Sequence, residues 1–151
     1  MSEGPEPTQA AHVILMRQAE GDASFRGDVF LRPLSARGRD AARLAAAAMF
    51  GDGHHPGPLL VAPVLSARQT AGIMLDELHL DADDVHYSDL LYEASADLMQ
   101  AQLRIRAAAY TLPTLIADNP GITGLARFLA GNANAPDMRP AEWRYLPWRP
   151  Y

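Results

Sequence analysis

Apolar runs of four or five residues alternate along this chain with longer segments of helical spacing, and that alternation leaves few architectures open. The runs are His12–Met16 (HVILM), Leu59–Ala62 (LLVA) and Thr114–Ala117 (TLIA), with a shorter candidate at Val85–Tyr87. Between them, Ser35–Phe50 carries Ala, Leu and Arg at helical spacing, with Ser35 placed to cap its start and Gly51 its end. Ser66–Leu78 predicts a second helix, Ser95–Tyr110 a third with Ser95 and Asp97 at its start, and Pro120–Leu129 a fourth closed by Gly131. Strands separated by helices need crossover connections, which predict an α/β/α three-layer domain on a mostly parallel sheet of about four strands. Glu142–Leu146 adds one antiparallel edge strand. No repeat or low-complexity tract interrupts this order, so residues 12–151 are expected to form one domain behind a flexible leader, residues 1–11.

Composition narrows the chemistry. The 151 residues include no cysteine, which removes disulfides, iron–sulfur clusters, thiolate zinc sites and cysteine nucleophiles. The start MSEGPEPTQAA has neither the basic nor the apolar region of a secretory signal, and the longest apolar run, Leu44–Phe50, is too short to span a bilayer. A cytoplasmic protein without membrane contact is the expectation. The net charge of −5 is concentrated: residues 76–103 hold eight acids and no arginine, whereas residues 104–151 hold six arginines and three acids. Such a chain is poorly suited to binding nucleic acid, and all 13 of its basic residues are arginine.

In an open parallel sheet, ligands bind beyond the carboxyl ends of the strands. There this sequence places Arg17, Gln18, Ala19 and Glu20, then the segment from Pro63 to Ala71, then Asp118, Asn119, Pro120 and Gly121. Guanidinium forks beside helix N-termini suit a phosphoryl group, so an oxyanion pocket is predicted.

The same segments carry motifs: LMRQAE, RPLSARG from Arg32 to Gly38, APVLSARQTA, Leu91–Ala94 (LYEA), and ADNPG from Ala117 to Gly121. In order and spacing, from about His12 to Gly131, they resemble the histidine phosphatase superfamily, and within it the phosphohistidine phosphatases of SixA type, which have a phosphoglycerate mutase-like fold. The family patterns are Arg-His after the first strand, Arg-Pro-Leu-Ser/Thr with a following Arg-Gly, Ser-Pro then Arg-x-x-Gln-Thr, and Gly-His-Asn-Pro-Gly. The resemblance implies a nucleophilic histidine at position 18, a second histidine at 118, and an acid at Glu93. It implies phosphate binding by Arg17, Arg68, Arg32 and Asn119, with no metal and no cofactor.

Gln18 and Asp118 stand where both histidines are implied, and Ala62 replaces the serine before proline. An amide nitrogen has its lone pair delocalised into the carbonyl, so Gln18 cannot accept phosphorus as imidazole does. An aspartate is ionised near neutral pH, and one like-charge contact at ~4 Å costs roughly 4 kcal/mol at an effective dielectric of 20. Other histidines offer little compensation. His12 is predicted roughly 20 Å from position 18 along an extended strand; His54 and His55 fall in a Gly/Pro loop at the opposite edge, and His79 at a helix end. His86 alone is placed near the crevice, with a half-buried strand residue as its structural role. Asp118 pairing with an arginine is an equally simple reading of those charges, and the Trp143, Tyr145, Trp148 and Tyr151 series reads as a packed final strand and tail.

The sequence therefore points to a SixA-like pseudophosphatase that binds a phosphate-bearing ligand or phosphoprotein, its oligomeric state open. Two alternatives remain: a phosphohydrolase working through Asp118 by altered chemistry, and an interaction module whose pocket is closed by an Asp118–arginine ion pair.

Overall fold

The computed structural model describes residues 11–108 and 110–148. Its elements in chain order are β1 (His12–Arg17), α1 (Ala36–Gly51), β2 (Leu59–Val61), α2 (Leu65–Leu78), β3 (Val85–Tyr87), α3 (Ala96–Arg106), β4 (Thr114–Ala117), α4 (Gly121–Ala130) and β5 (Trp143–Pro147). Three short 3-10 turns, Val29–Leu31, Ala82–Asp84 and Asp89–Leu91, have no counterpart in the periodicity. They are single turns, below the length at which a period can be read.

The five strands form one sheet in the order β3-β2-β4-β1-β5. Four run parallel, with β1 paired to β4 in the register Arg17 to Ala117, and β5 is the antiparallel edge beside β1. This is the expected mixed sheet. Val13–Met16, Leu59–Val61 and Leu115–Ala117 are all essentially inaccessible, as strands covered on both faces must be.

Topology fixes which helix covers which face. From β1 to β2 to β3 the chain moves one way across the sheet, and from β3 to β4 to β5 it moves back. With right-handed crossovers, α1 and α2 then share one face and α3 takes the other, where α4 joins it by packing. The packing agrees, since α1 lies against α2 and α3 against α4.

Local signals hold at most ends. Ser35 accepts from the Gly38 N–H at 2.9 Å and Ser95 from the Leu98 N–H at 3.2 Å, while Gly131 closes α4 in the left-handed conformation at φ 65°. The third helix is the exception. It stops at Arg106 with Ala107 extended, four residues before the expected Tyr110. Alanine favours helix, but here the chain must reach Leu112, which exchanges backbone hydrogen bonds with Gly57 immediately before β4. The leader up to Ala10, Ala109 inside that predicted helix, and Arg149 and Tyr151 in the tail lie outside the described residues. Within them, no helix is long and apolar enough to cross a membrane.

Candidate functional site

β1 and β4 are neighbours whose following helices lie on opposite faces, so the chain parts at their carboxyl ends and leaves a crevice. A cavity of about 730 Å³ opens there. Arg17, Gln18, Glu20, Arg32, Glu93, Asp118 and Asn119 line it together with Ala62 and Ser66. Six of the seven candidate residues from the sequence are thus brought to one place, and Arg68 is not.

Arg68 is exposed, with its guanidinium carbon 4.5 Å from the centre of the Tyr87 ring. The correction follows from helix geometry. Counted back three places from Gln69 and Thr70, the Arg-x-x-Gln-Thr pattern falls on Ser66, and two residues along α2 is roughly 200° around its axis. Ser66 faces the cavity, so Arg68 must face away. The Gln-Thr pair serves as a bolt. Gln69 Oε1 accepts from the Leu34 N–H at 2.8 Å, and Thr70 Oγ1 accepts from the Ala19 N–H at 3.0 Å while donating to the Ser66 carbonyl at 2.7 Å.

Gln18 follows β1 and donates from Nε2 to Ser66 Oγ at 3.0 Å, leaving its buried Oε1 without a partner among the described residues. Arg17 donates from Nε to Asp118 Oδ1 at 3.1 Å and from Nη1 to the Met138 carbonyl at 3.0 Å. The ion pair foreseen for Asp118 is therefore formed, yet the cavity beside it stays open. The two side chains are 27% and 53% exposed, so solvent screens the pair and it contributes little to stability.

Arg32 reaches the cavity across Gly21, where a Cβ would stand 2.7 Å from its Cδ, and its buried Nε has no described partner. Arg32 also makes no ion pair with a described residue. Glu20 is occupied: Ser35 Oγ donates to one carboxylate oxygen at 2.9 Å and Arg37 Nη2 to the other at 2.6 Å. The Arg37 hydrogen bond foremost, then Ser35, holds its carboxyl below the usual range. Asn119 is also tied up. Its Nδ2 donates to the Met138 carbonyl at 3.1 Å and its Oδ1 accepts from Thr123 Oγ1 at 2.5 Å, which fastens α4 to the chain before β5. Glu93 is exposed at φ 50°, two residues before the Ser95 cap, and so is not a first-turn helix residue.

All five histidines are among the described residues, and none lines this cavity. His86, the one placed near the crevice, instead borders a second cavity with Gly57, Pro58 and Thr111 at the amino ends of β2 and β4, where His55 also lies. His54 turns to the β5 edge and stacks on Tyr145 at 4.4 Å, while His12 stacks on the same ring at 4.6 Å. Tyr145 sits between the two imidazoles and Trp148 is 2% exposed, which fits a packed final strand. His79 caps α2 in the left-handed conformation.

Sequence reasoning missed Ser66, Thr123 and the Met138 carbonyl. The first was available by counting the motif; the other two are tertiary encounters with no local signal.

No protein-family model and no curated protein matches the chain. Solved structures do. The protein histidine phosphatase SixA complexed with tungstate has a TM-score of 0.77 at 23% identity, covering 89% of this chain and 86% of that one. A SixA phosphohistidine phosphatase homologue from Agrobacterium tumefaciens gives 0.71 at 21% identity over 84% and 79%. Another from Nakamurella multipartitia gives 0.66 at 26% over 83% and 69%. The chain has the fold of the SixA-type histidine phosphatases, a phosphoglycerate mutase-like α/β domain.

Proposed function

We propose that this protein is a SixA-like pseudophosphatase, which holds a phosphoryl or similar oxyanion in the crevice and does not form a phosphoenzyme. The observation that carries the reading is the composition of the cavity wall: Arg17, Arg32 and Gln18 are present, and no imidazole is.

Binding and turnover separate on physical grounds. In-line attack on phosphorus needs a free lone pair, and Gln18 has none on nitrogen. The site can still bind. The Gln18 amide, held by the bond to Ser66 Oγ, keeps that part of the cavity wall polar without supplying a lone pair for attack. The site then offers the Arg17 hydrogens not taken by Asp118 and Met138, beside the Arg32 guanidinium in the cavity wall, a set of donors suited to oxyanions. Tungstate, the ligand of the SixA complex above, is a tetrahedral dianion of this kind.

Asp118 supports the same reading over hydrolysis by altered chemistry. Its Oδ1 already accepts from Arg17 and from the Asn119 N–H at 2.7 Å, so the carboxylate is engaged as an ion-pair partner of the arginine that faces the cavity. The test is calorimetry with tungstate and phosphate, alongside assays on a phosphohistidine peptide and an aryl phosphate. Binding without turnover is expected, with binding lost in Arg17→Ala. Turnover at ordinary enzyme rates that Arg17→Ala abolishes overturns it.

A further inference from the structure

Two 3-10 turns contribute Val29, Leu91 and the following Tyr92 to the cavity wall, and both carry large apolar side chains into solvent. Val29 and Leu31 are 60% and 57% exposed, and Leu90 and Tyr92 are 56% and 46% exposed. Val29 and Tyr92 line the same cavity, and the Phe30 and Tyr92 rings meet at 5.5 Å, so the turns form one continuous apolar rim. Asp28 begins the first turn, Asp89 the second, and Glu93 follows it; none makes an ion pair with a described residue. Their potential is felt at Tyr92, whose phenol is held above its usual range by the Glu93 carboxylate foremost, with burial and Asp28 adding to it.

We propose that this acidic, apolar rim docks a cationic, apolar segment of another polypeptide that presents its oxyanion to the crevice. The inference rests on the oxyanion-binding reading above and extends it to the kind of ligand. Charge complementarity selects the occupant. The floor of the crevice has guanidinium groups and its rim has carboxylates with no cationic partner among the described residues, so a fitting ligand is anionic at one point and basic around it. Leu31 and Leu90 carry the apolar surface outside the cavity lining, beyond the reach of a small phosphorylated metabolite. A second copy docked symmetrically would set carboxylates against carboxylates, and an anionic lipid surface would be repelled.

Fluorescence anisotropy at low ionic strength tests this with three labelled peptides: a phosphoserine flanked by Lys and Leu, a phosphoserine flanked by Glu and Ser, and the Lys/Leu sequence with plain serine. Tungstate calorimetry runs beside them. The first peptide is expected to bind at least about tenfold tighter than the second, with the gap narrowing in salt. Asp28→Asn with Asp89→Asn, and separately Leu31→Ser with Leu90→Ser, should each weaken the first peptide about fivefold or more and leave tungstate affinity unchanged. Equal affinity for both phosphopeptides overturns the rim proposal, and if tungstate binds, the oxyanion pocket stands without it. Binding of the plain-serine peptide without tungstate binding supports the rim and counts against the pocket. Rim variants that alter sedimentation and not peptide affinity identify a self-association surface and overturn the proposal.

Discussion

Position 118 shows how one side chain can occupy a site without filling it. The Asp118 carboxylate takes one Arg17 donor, and any anion entering the cavity meets that negative charge. Because Asp118 is half exposed, solvent discounts the repulsion well below the roughly 4 kcal/mol of a contact at an effective dielectric of 20. Asp118→Asn should therefore raise tungstate affinity by about tenfold, read by calorimetry. Building phosphatase chemistry into this crevice is expected to need more than two imidazoles. Since Ser66 stands where the Arg-x-x-Gln-Thr pattern puts arginine, Gln18→His with Asp118→His is expected to remain below the triple variant that adds Ser66→Arg in an aryl phosphate assay. Glu20 gives a pH signature. Its folded pKa is lowered chiefly by Arg37, so the linked stability is complete above the ordinary glutamate range and lost as pH falls through the lowered value. Arg37→Ala should move the Glu20 titration upward, followed by carbon NMR of its carboxylate. At this scale Arg17, Gln18 and Asp118 were legible because each ends a strand or follows one directly. Arg68 was misread because which side of a helix a residue faces depends on helix phase, and the motif's spacing was not carried through to it.

Among the elements, the loops that shape the crevice are pinned by backbone contact more than by side chains. A Cβ at Gly38 would collide with the Glu20 carbonyl oxygen, and one at Gly121 with the carbonyl oxygen of Ala94. Each glycine lets a helix N-terminus close onto a loop that lines the cavity. Gly38→Ala and Gly121→Ala should each cost about 1–3 kcal/mol in urea unfolding, where an ordinary exposed-helix alanine would be neutral or better. Both positions belong to motifs visible in the sequence, RPLSARG and ADNPG, yet their role as points of close approach was not. Caps were readable because a serine bonds within its own turn, as Ser35 and Ser95 do. The end of α3 was not, because Ala107 leaves the helix to satisfy a pairing near Leu112 that no local propensity expresses.

For the molecule as a whole, the crevice exists because the connections reverse direction between β1 and β4, and a ligand there bridges loops from both halves of the sheet. Binding to the folded state alone should raise stability by about 2.7 kcal/mol at a hundredfold excess over Kd. That amounts to several degrees in Tm for a domain of this size. Thermal scans in tungstate are expected to show the rise, and Arg17→Ala to erase it. The amino-acid sequence by itself determined the alternation of strands and helices, the parallel sheet, and that positions 18 and 118 carry no imidazole, because each is written in period, propensity or residue identity over a few neighbours. Only the tertiary structure decided that the Arg17–Asp118 pair forms beside an open cavity, that Ser66 and not Arg68 faces it, and that His86 lies at the other end of the sheet. Those outcomes depend on strand order, helix phase and loop paths, which bring together residues as distant as Arg17 and Asp118, 101 positions apart, and leave no trace in local pattern.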